Sequence, residues 1–219
     1  MGLKMKAVLF RAHGGPVNLS YEDLPTPSIG SEDVLVRVKA CALNHLDIWI
    51  RQGNPAYPML FPHVSGSDVA GIVEQIGNGV EGVTVGQRVF VSPGLSCWKC
   101  EQCLAGRDNL CRSYGLVGAV THGGYAEYVK VPFRNVLPIP ENLSFEQAAA
   151  FPLVSVTASH MLFALAGLQH GETVLIMGAG SGVGMMAVQM AKLAGARVMT
   201  TVGSDDKIPK AVTLGADAV

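Results

Sequence analysis

Four cysteines set close together constrain the fold of this chain more than any other feature. Cys97, Cys100 and Cys103 are separated by two-residue gaps, and Cys111 follows after a longer gap. The short gaps allow consecutive thiolates to converge on one small cation, and the longer gap brings the fourth thiolate around to close a tetrahedron. Four sulfur ligands complete the coordination of Zn²⁺ and leave no position for water or substrate. The spacing therefore predicts one structural zinc ion per chain.

Two other interpretations of the quartet stay open at this point. Two disulfides are the first, although cysteines two apart make crowded pairs and the N-terminal apolar run is too short for a secretory signal. Iron bound to the same four thiolates is the second. The fifth cysteine, Cys41, lies in an apolar run and is interpreted as a small buried hydrophobic residue.

The composition argues against several classes of partner. The 219 residues carry a formal net charge of -1, with acidic and basic residues interspersed. Such a chain has no basic stripe to neutralise nucleic-acid phosphates. Glycines interrupt the most apolar stretch, 173–194, so it does not resemble a membrane span. We expect a cytoplasmic protein that acts on a small molecule and has no nucleic-acid or membrane partner.

The chain divides into two regions of different periodicity. In residues 1–150, short β-branched runs separated by Gly/Pro clusters predict a β-barrel or sandwich, with the cysteines in a lobe at about 92–114. A capping-box pattern at Ser144 and Gln147 then starts a helical turn that Pro152 interrupts. In residues 151–219, a helix to Ala166 precedes a strand, a glycine turn, a second helix and a strand over 197–202. That order predicts the first part of a doubly wound parallel sheet.

The glycine turn is typical of a dinucleotide-binding site. It follows a strand and opens a helix, so glycines permit the tight reversal while backbone N–H groups and the helix N-terminus attract a pyrophosphate. The glycines do not match the strict Gly-x-Gly-x-x-Gly spacing, because Val183 stands where the third glycine is expected. The predicted cofactor-binding residues of the turn are Gly178, Gly180, Ser181, Gly182, Val183 and Gly184.

The residues after the next strand favour NADP(H) over NAD(H). A strand at this position normally ends in a carboxylate that binds the ribose hydroxyls of NAD. Here the strand is expected to end near Val202, without an acid at its tip, and Gly203, Ser204 and Lys207 are available for a 2′-phosphate. Asp205 and Asp206 weaken this preference, and they also read as the start of the next helix.

Together these features resemble the medium-chain dehydrogenase/reductase superfamily of zinc alcohol dehydrogenases and quinone oxidoreductases. The resemblance spans nearly the whole chain and rests on the four-cysteine lobe, the glycine turn and the segments 40–47, 66–71 and 123–128. It implies a GroES-like β-barrel catalytic domain followed by a Rossmann domain. Dimerisation in the full-length form is a further expectation from the family.

The catalytic zinc ligands of the family are replaced in this chain. The resemblance places Asn44, Ser67 and Leu153 where the family has Cys, His and a later Cys or Asp, and Leu46 where it has the proton-relay hydroxyl. Neither Ser nor Leu substitutes for an imidazole or thiolate ligand of zinc. The alternative is a second zinc site rebuilt from other side chains, namely His45, Asp47, His63 and Asp68.

Without a catalytic zinc, the segment 43–53 is most similar to zinc-independent quinone oxidoreductases. The resemblance then implies that Asn44, Asp47 and Trp49 form the catalytic site, with Asn44 and Trp49 beside the nicotinamide and Thr157 in contact with it. An amide can donate a hydrogen bond to a carbonyl oxygen as charge develops on it. A simpler interpretation of Asn44 and Asp47 is a hydrogen-bonded pair that holds the barrel edge.

The sequence ends where the third strand of the nucleotide-binding sheet is expected to begin, so we interpret it as a fragment or shortened reading frame with weak cofactor binding. The leading hypothesis is an NADP(H)-dependent oxidoreductase that transfers hydride between nicotinamide and a quinone, enone or related carbonyl. The alternatives are a zinc-dependent alcohol dehydrogenase, a non-catalytic nucleotide-binding or structural protein, and an inactive fragment.

Overall fold

Two units make up the chain. The structure, a computed structural model, describes residues 3–219. The first unit is Met1–Pro152 and the second is Leu153–Val219. Each unit contains its own cluster of buried hydrophobic side chains.

The first unit is built from antiparallel strands. They are β1 (Lys4–Leu9), β2 (Ser20–Pro25), β3 (Asp33–Ala42), β4 (Asp68–Ile76), β5 (Arg88–Val91), β6 (Gly94–Leu95), β7 (Gly115–Leu116), β8 (Tyr128–Pro132) and β9 (Val136–Pro138). Five of them form one sheet in the order β8-β3-β4-β5-β9, while β1-β2 and β6-β7 are separate pairs. Valines dominate the buried face of the sheet, because β-branched side chains pack well on a pleated surface.

Three short helices complete the first unit: α1 (His45–Gln52), α2 (Glu101–Leu104) and α3 (Phe145–Ala149). Helix α1 ends at Gly53, which adopts a left-handed conformation with φ 99°. Helix α3 begins at the predicted capping box, in which the Gln147 N–H donates to Ser144 Oγ at 3.2 Å and the Ser144 N–H donates to Gln147 Oε1 at 2.9 Å.

The second unit contains a small parallel sheet packed on a helix. Its elements are α4 (Pro152–Ser159), a π-helical turn (His160–Leu165), β10 (Thr173–Ile176), α5 (Gly182–Leu193), β11 (Arg197–Thr200) and α6 (Ile208–Thr213). Strands β10 and β11 pair in parallel, and a further parallel bridge joins Met199 to Ala218. Helix α5 covers one face of the sheet with Ala187, Val188 and Ala191.

The predicted fold class, a β-domain followed by an incomplete doubly wound parallel sheet, is confirmed. Two local predictions were wrong. Helix α3 does end before Pro152, at Ala149, but Pro152 itself begins the next helix, α4, because proline is well tolerated in the first helical turn, where its missing N–H is not needed. Strand β11 ends at Thr200, two residues earlier than predicted, and the next side chain, Thr201, accepts a hydrogen bond from the Gly178 N–H at 3.0 Å.

Within residues 3–219, no helix is long and apolar enough to cross a bilayer.

Two neighbouring histidines, of which His63 is buried and His122 is exposed, make the stability of the first unit sensitive to pH. His63 is 2% exposed, and its Nε2 lies 3.0 Å from the Gly118 carbonyl oxygen. The ring of His122 lies 5.8 Å away, and its Nδ1 accepts the Val64 N–H at 3.3 Å. Burial lowers the pKa of both imidazoles from the ordinary value of 6.5. The folded state therefore binds these protons less readily than the unfolded chain.

We expect the free energy of unfolding to fall as the pH drops below about 6.5 and through the lower pKa values of the folded state. His122→Gln, which cannot take up that proton, should lose less stability than the parent between about pH 7.5 and pH 5.5. Urea unfolding at the two pH values measures this, and the exposed His160→Gln is the matched control. Equal losses in the parent and in His122→Gln would contradict the assignment.

Candidate functional site

The four cysteines of the lobe converge in space. Their sulfur atoms all lie within 4.8 Å of one another. The Cys97 and Cys103 sulfurs are 3.9 Å apart, and the Cys100 and Cys103 sulfurs are 3.5 Å apart. A tetrahedral ion with metal–sulfur bonds of about 2.3 Å requires sulfur–sulfur separations of about 3.8 Å. The residues therefore fit a four-sulfur metal site. All five cysteines are free thiols, and the lobe contains no disulfide.

Local backbone conformation brings the lobe's sulfur atoms together. Trp98, between the first two ligands, has a positive φ of 56°, which is uncommon for a residue with a side chain. Cys100 is the N-cap residue of α2. The backbone N–H groups of Cys97 and Ser113 lie 3.3 and 3.4 Å from the Cys111 sulfur. Such donors stabilise a thiolate, which is the form of cysteine that binds metal.

Two of the thiols differ strongly in acidity. Hydrogen bonds from the backbone N–H groups of Lys99 and Cys100 lower the pKa of Cys97 to about 6. Burial, followed by the neighbouring Cys100 thiol, raises the pKa of Cys103 to about 12. A bound cation lowers the pKa of its thiol ligands, so that even Cys103 would bind the metal as a thiolate. The raised pKa of Cys103 is therefore compatible with a metal site.

Asp47 ties three segments of the first unit together. Its Oδ2 accepts the Asn44 N–H at 2.8 Å and the Tyr125 hydroxyl at 2.7 Å, and its Oδ1 accepts the Gly66 N–H at 3.2 Å. Burial, with the hydrogen bond to Asp47, raises the pKa of Tyr125. These contacts are those of a residue that positions its neighbours. They agree with the simpler interpretation, in which Asn44 and Asp47 form a hydrogen-bonded pair that holds the barrel edge. The catalytic role of Asp47 stays a prediction.

Asn44 is held by a second carboxylate. It is the N-cap residue of α1, and its side-chain Nδ2 donates to Asp68 Oδ2 at 2.9 Å. Asp68 is 1% exposed, and the adjacent Ser67 is fully buried with no hydrogen-bond partner for its Oγ within residues 3–219. The Asn44 amide is therefore ordered by the protein before any ligand arrives.

A cavity of about 890 Å³ lies beside Asn44. Its wall is mostly apolar and includes Val8, Leu19 and Ile48. The buried Ser65 also lines it, and its Oγ has no hydrogen-bond partner in the part of the chain that the structure describes. An apolar cavity with a few convergent polar groups is the usual form of a small-molecule site.

Trp49 does not line this cavity. Its ring is 51% exposed and packs edge-on against His45, with the ring centroids 4.8 Å apart. It contributes instead to a second cavity of about 470 Å³ with Gln52, Gly53 and Asn54. Asn44 and Trp49, predicted to act together, thus line two different cavities. The stacking role of Trp49 stays a prediction.

The glycine turn of the second unit has the conformation that the sequence predicts. Gly178 adopts a positive φ of 76°. Ser181 is the N-cap residue of α5, and its Oγ donates to the Gly178 carbonyl and accepts the Gly184 N–H, each at 3.0 Å. Helix α5 is twelve residues long, so its first N–H groups and its dipole favour an anion at this end. The turn is a suitable cradle for a pyrophosphate.

Space in the turn explains the phase of its glycines. A Cβ on Gly184 would lie 2.2 Å from the Gly178 carbonyl oxygen, so only glycine fits there. A Cβ on Gly180 would meet nothing closer than Lys207 Cδ at 4.0 Å. Val183, at the out-of-phase position, is half-buried and packs against the core of the second unit. The close backbone approach that requires glycine is thus made by Gly184, one position after Val183.

We expect Gly184→Ala to lower the free energy of unfolding by about 1–3 kcal/mol, because the added methyl group forces the Gly178 carbonyl to move. It should also weaken dinucleotide binding. Gly180→Ala is the matched variant, which should leave the melting temperature almost unchanged. Thermal unfolding of both proteins measures the difference, and equal melting temperatures would refute the proposed role of Gly184.

The remaining predicted cofactor residues lie on the surface of the second unit. Gly203, Ser204 and Lys207 are all exposed, and the Lys207 stem approaches the glycine turn. Thr157 is exposed on α4, where its Oγ1 donates to the Leu153 carbonyl at 2.8 Å. None of their contacts opposes a role in cofactor binding, and that role stays a prediction.

Sequence reasoning missed two residues of the Asn44 site. Tyr125 belongs to a segment noted only for its resemblance to the family, and nothing local signals its bond to Asp47, 78 positions away. Ser65 precedes the changed metal motif and carries no signal of its own. The sequence suggested Asp68 only as a metal ligand.

A second metal site is not found. Within residues 3–219, no group of three or more His, Cys, Asp or Glu side chains besides the four lobe cysteines is placed to hold a metal.

The fold and the sites define a class of protein in which a β-domain with a four-cysteine lobe is followed by a βαβ unit with a glycine turn. Sequence profiles agree: the alcohol dehydrogenase GroES-like domain matches residues 30–141, and the zinc-binding dehydrogenase domain matches residues 182–219. The chain belongs to the medium-chain dehydrogenase/reductase superfamily.

Individual relatives cover nearly all of this chain. An alcohol dehydrogenase of Geobacillus stearothermophilus is 38% identical over 98% of this chain and 63% of its own length. A quinone oxidoreductase of Rattus norvegicus is 34% identical over 92% of this chain and 54% of its own. The crystal structure of an NAD-dependent alcohol dehydrogenase superposes with a TM-score of 0.94 and 53% identity, over 98% of this chain and 63% of that one. The chain spans less than two thirds of the length of these three relatives.

Proposed function

We propose that this protein is an NAD(P)H-dependent oxidoreductase that transfers hydride between nicotinamide and a quinone, enone or related carbonyl, without a catalytic zinc ion. The observation that carries the proposal is the ordered Asn44 amide at the wall of the 890 Å³ cavity. A neutral N–H donor stands where the resemblance places a zinc ligand. Dehydrogenases and a quinone oxidoreductase among the relatives support the general class of reaction.

The substrate class follows from the cavity. Its wall is mostly apolar, with the charged Lys6, Arg51 and Glu127 also on it, and it favours a flat, weakly polar molecule. The Asn44 N–H donates a hydrogen bond to the carbonyl oxygen, and this bond strengthens as negative charge develops there. The Ser65 hydroxyl, which has no hydrogen-bond partner within residues 3–219, offers a second polar contact, and this suits a quinone with its two carbonyl groups. Tyr125 is not assigned a proton-transfer role, because its hydroxyl donates to Asp47 and burial raises its pKa.

The cofactor is assigned to the glycine turn. NAD(P)H, when bound, supplies the hydride. The turn and the N-terminus of α5 would hold the pyrophosphate, and Ser204 and Lys207 would hold a 2′-phosphate. The alternative cofactor is NADH, which the similarity to the NAD-dependent alcohol dehydrogenase favours. Asp205 and Asp206, both exposed beside Ser204, are compatible with that alternative.

Turnover by the purified chain tests the proposal. NADPH and NADH oxidation are followed with a simple para-quinone, an enone and an aldehyde as separate acceptors, with heat-denatured protein as the control. Quinone- or enone-dependent oxidation supports the proposal. Alcohol oxidation that requires a second zinc ion would favour the zinc alcohol dehydrogenase, and cofactor binding without turnover would favour a non-catalytic binding protein.

The cofactor preference has its own test. We expect Lys207→Ala to weaken NADPH binding about tenfold, because a charge-assisted contact to phosphate is lost, and to change NADH binding much less. Lys210→Ala, which removes an exposed lysine of α6, is the matched control. Calorimetric titration with both cofactors measures the effect, and tighter binding of NADH than NADPH by the parent would reject the preference.

A further inference from the structure

We infer that Asp68 is the positioning residue that sets the orientation of the Asn44 amide, an inference that rests on the proposed function for its catalytic meaning. The two side chains meet at one end of a strand pair. Asp68 begins β4 and pairs with Ala42, the last residue of β3, and Asn44 follows two residues later. This geometry places the Asp68 carboxylate 2.9 Å from the Asn44 Nδ2.

A carboxylate fixes the direction of an amide because it offers acceptors only. An ionised carboxylate accepts hydrogen bonds, whereas an asparagine side chain has an NH₂ group on one side and a carbonyl oxygen on the other. Rotating the Asn44 amide by half a turn would set its Oδ1 against Asp68 Oδ2, and the two oxygens would repel. The NH₂ side of Asn44 therefore faces Asp68.

Asp68 and Asn44 differ in their access to the cavity. Within residues 3–219, the residues that line the 890 Å³ cavity include Asn44 and exclude Asp68, which is 1% exposed. Asp68 thus acts from behind the amide and does not touch the ligand. One N–H of Asn44 is held by the carboxylate, and the second N–H of the same nitrogen remains for a substrate oxygen. Burial makes this bond costly to break, because the Asp68 carboxylate would lose the Asn44 donor at a position that water hardly reaches.

The orientation is tested first by NMR of the side-chain amides in the ¹⁵N-labelled chain, without any need for turnover. The two Asn44 NH₂ proton shifts should be further apart than those of the exposed Asn142, because the proton bonded to Asp68 moves downfield, and their exchange with solvent should be slower. In Asp68→Asn the separation should shrink toward that of Asn142, while Asp206→Asn should leave it unchanged. An Asn44 amide that behaves like Asn142 in the parent overturns the inference, even if Asp68→Asn does not fold.

Kinetics then separate positioning from a merely structural role. Asp68→Asn is nearly isosteric but permits both amide orientations, so kcat should fall about tenfold with little change in KM. In an Asn44→Ala background the same substitution should have no further effect, because the group it orients is already gone. An equal loss of kcat in both backgrounds would overturn the inference. A parent without turnover that shows the well-separated NH₂ signal would reject the proposed function and retain the orientation.

Discussion

Replacing Cys111 by serine is expected to release the metal ion and to lower the free energy of unfolding by about 3 kcal/mol or more. Cys111 closes the four-sulfur cluster, and its sulfur is the acceptor of the Cys97 and Ser113 N–H groups. A serine hydroxyl does not replace a thiolate as a zinc ligand. The lobe has few other means of stabilisation, since α2 spans only Glu101–Leu104 and β6 and β7 have two residues each. Elemental analysis and thermal unfolding measure the two effects.

Cys41→Ser is the matched control for this experiment. Cys41 is half-buried and lies outside the cluster, with its sulfur 3.9 Å from the Ala42 carbonyl oxygen. This variant should keep one zinc ion per chain. Cys111→Ser protein that retains its zinc, or that unfolds at the same temperature as the parent, would contradict the structural role of the metal.

Asn44→Ala is expected to lower kcat for quinone-dependent NADPH oxidation about 100-fold, the usual cost of removing a donor to a developing oxyanion. The loss should fall on kcat and leave cofactor binding unchanged, because the glycine turn lies in the other unit. Asn44 is the N-cap residue of α1 and also donates to the buried Asp68, so the substitution should cost about 2–4 kcal/mol of stability. Steady-state kinetics, with a melting curve on the same sample, separate the two effects.

The exposed Asn142→Ala is the control, and its kinetics should match those of the parent. A kcat that Asn44→Ala leaves within about twofold of the parent would remove Asn44 from the reaction. The simpler interpretation, in which Asn44 and Asp47 only hold the barrel edge, would then account for both residues.

Local patterns predicted most of the fold. Alternating valines mark the strands of the first unit, and the Ser144 capping box marks the start of α3. The cysteine spacing predicted the cluster, because ligands a few residues apart are bound to be close in space. The glycine turn was predictable for the same reason, since Ser181 and Gly184 are contacts within one turn of chain.

The Asn44 site was predictable only in part, because its contacts join distant segments. Asp47 bonds to Tyr125, 78 residues away, and Asn44 bonds to Asp68, 24 residues away. No pattern in one sequence specifies such pairs. Nor could the sequence place Trp49, whose direction depends on how α1 is rotated against its neighbours. The family resemblance suggested both Asn44 and Trp49, and the structure gives them different cavities.

The zinc content of the active protein tests the central claim most directly. Purified chain is dialysed extensively against metal-free buffer and then assayed for zinc and for quinone-dependent NADPH oxidation on the same sample. We expect one zinc ion per chain, bound by the four cysteines, with the turnover rate unchanged by dialysis. Two zinc ions per chain, with turnover lost as the second is removed, would contradict a reaction that relies on Asn44 without a catalytic metal.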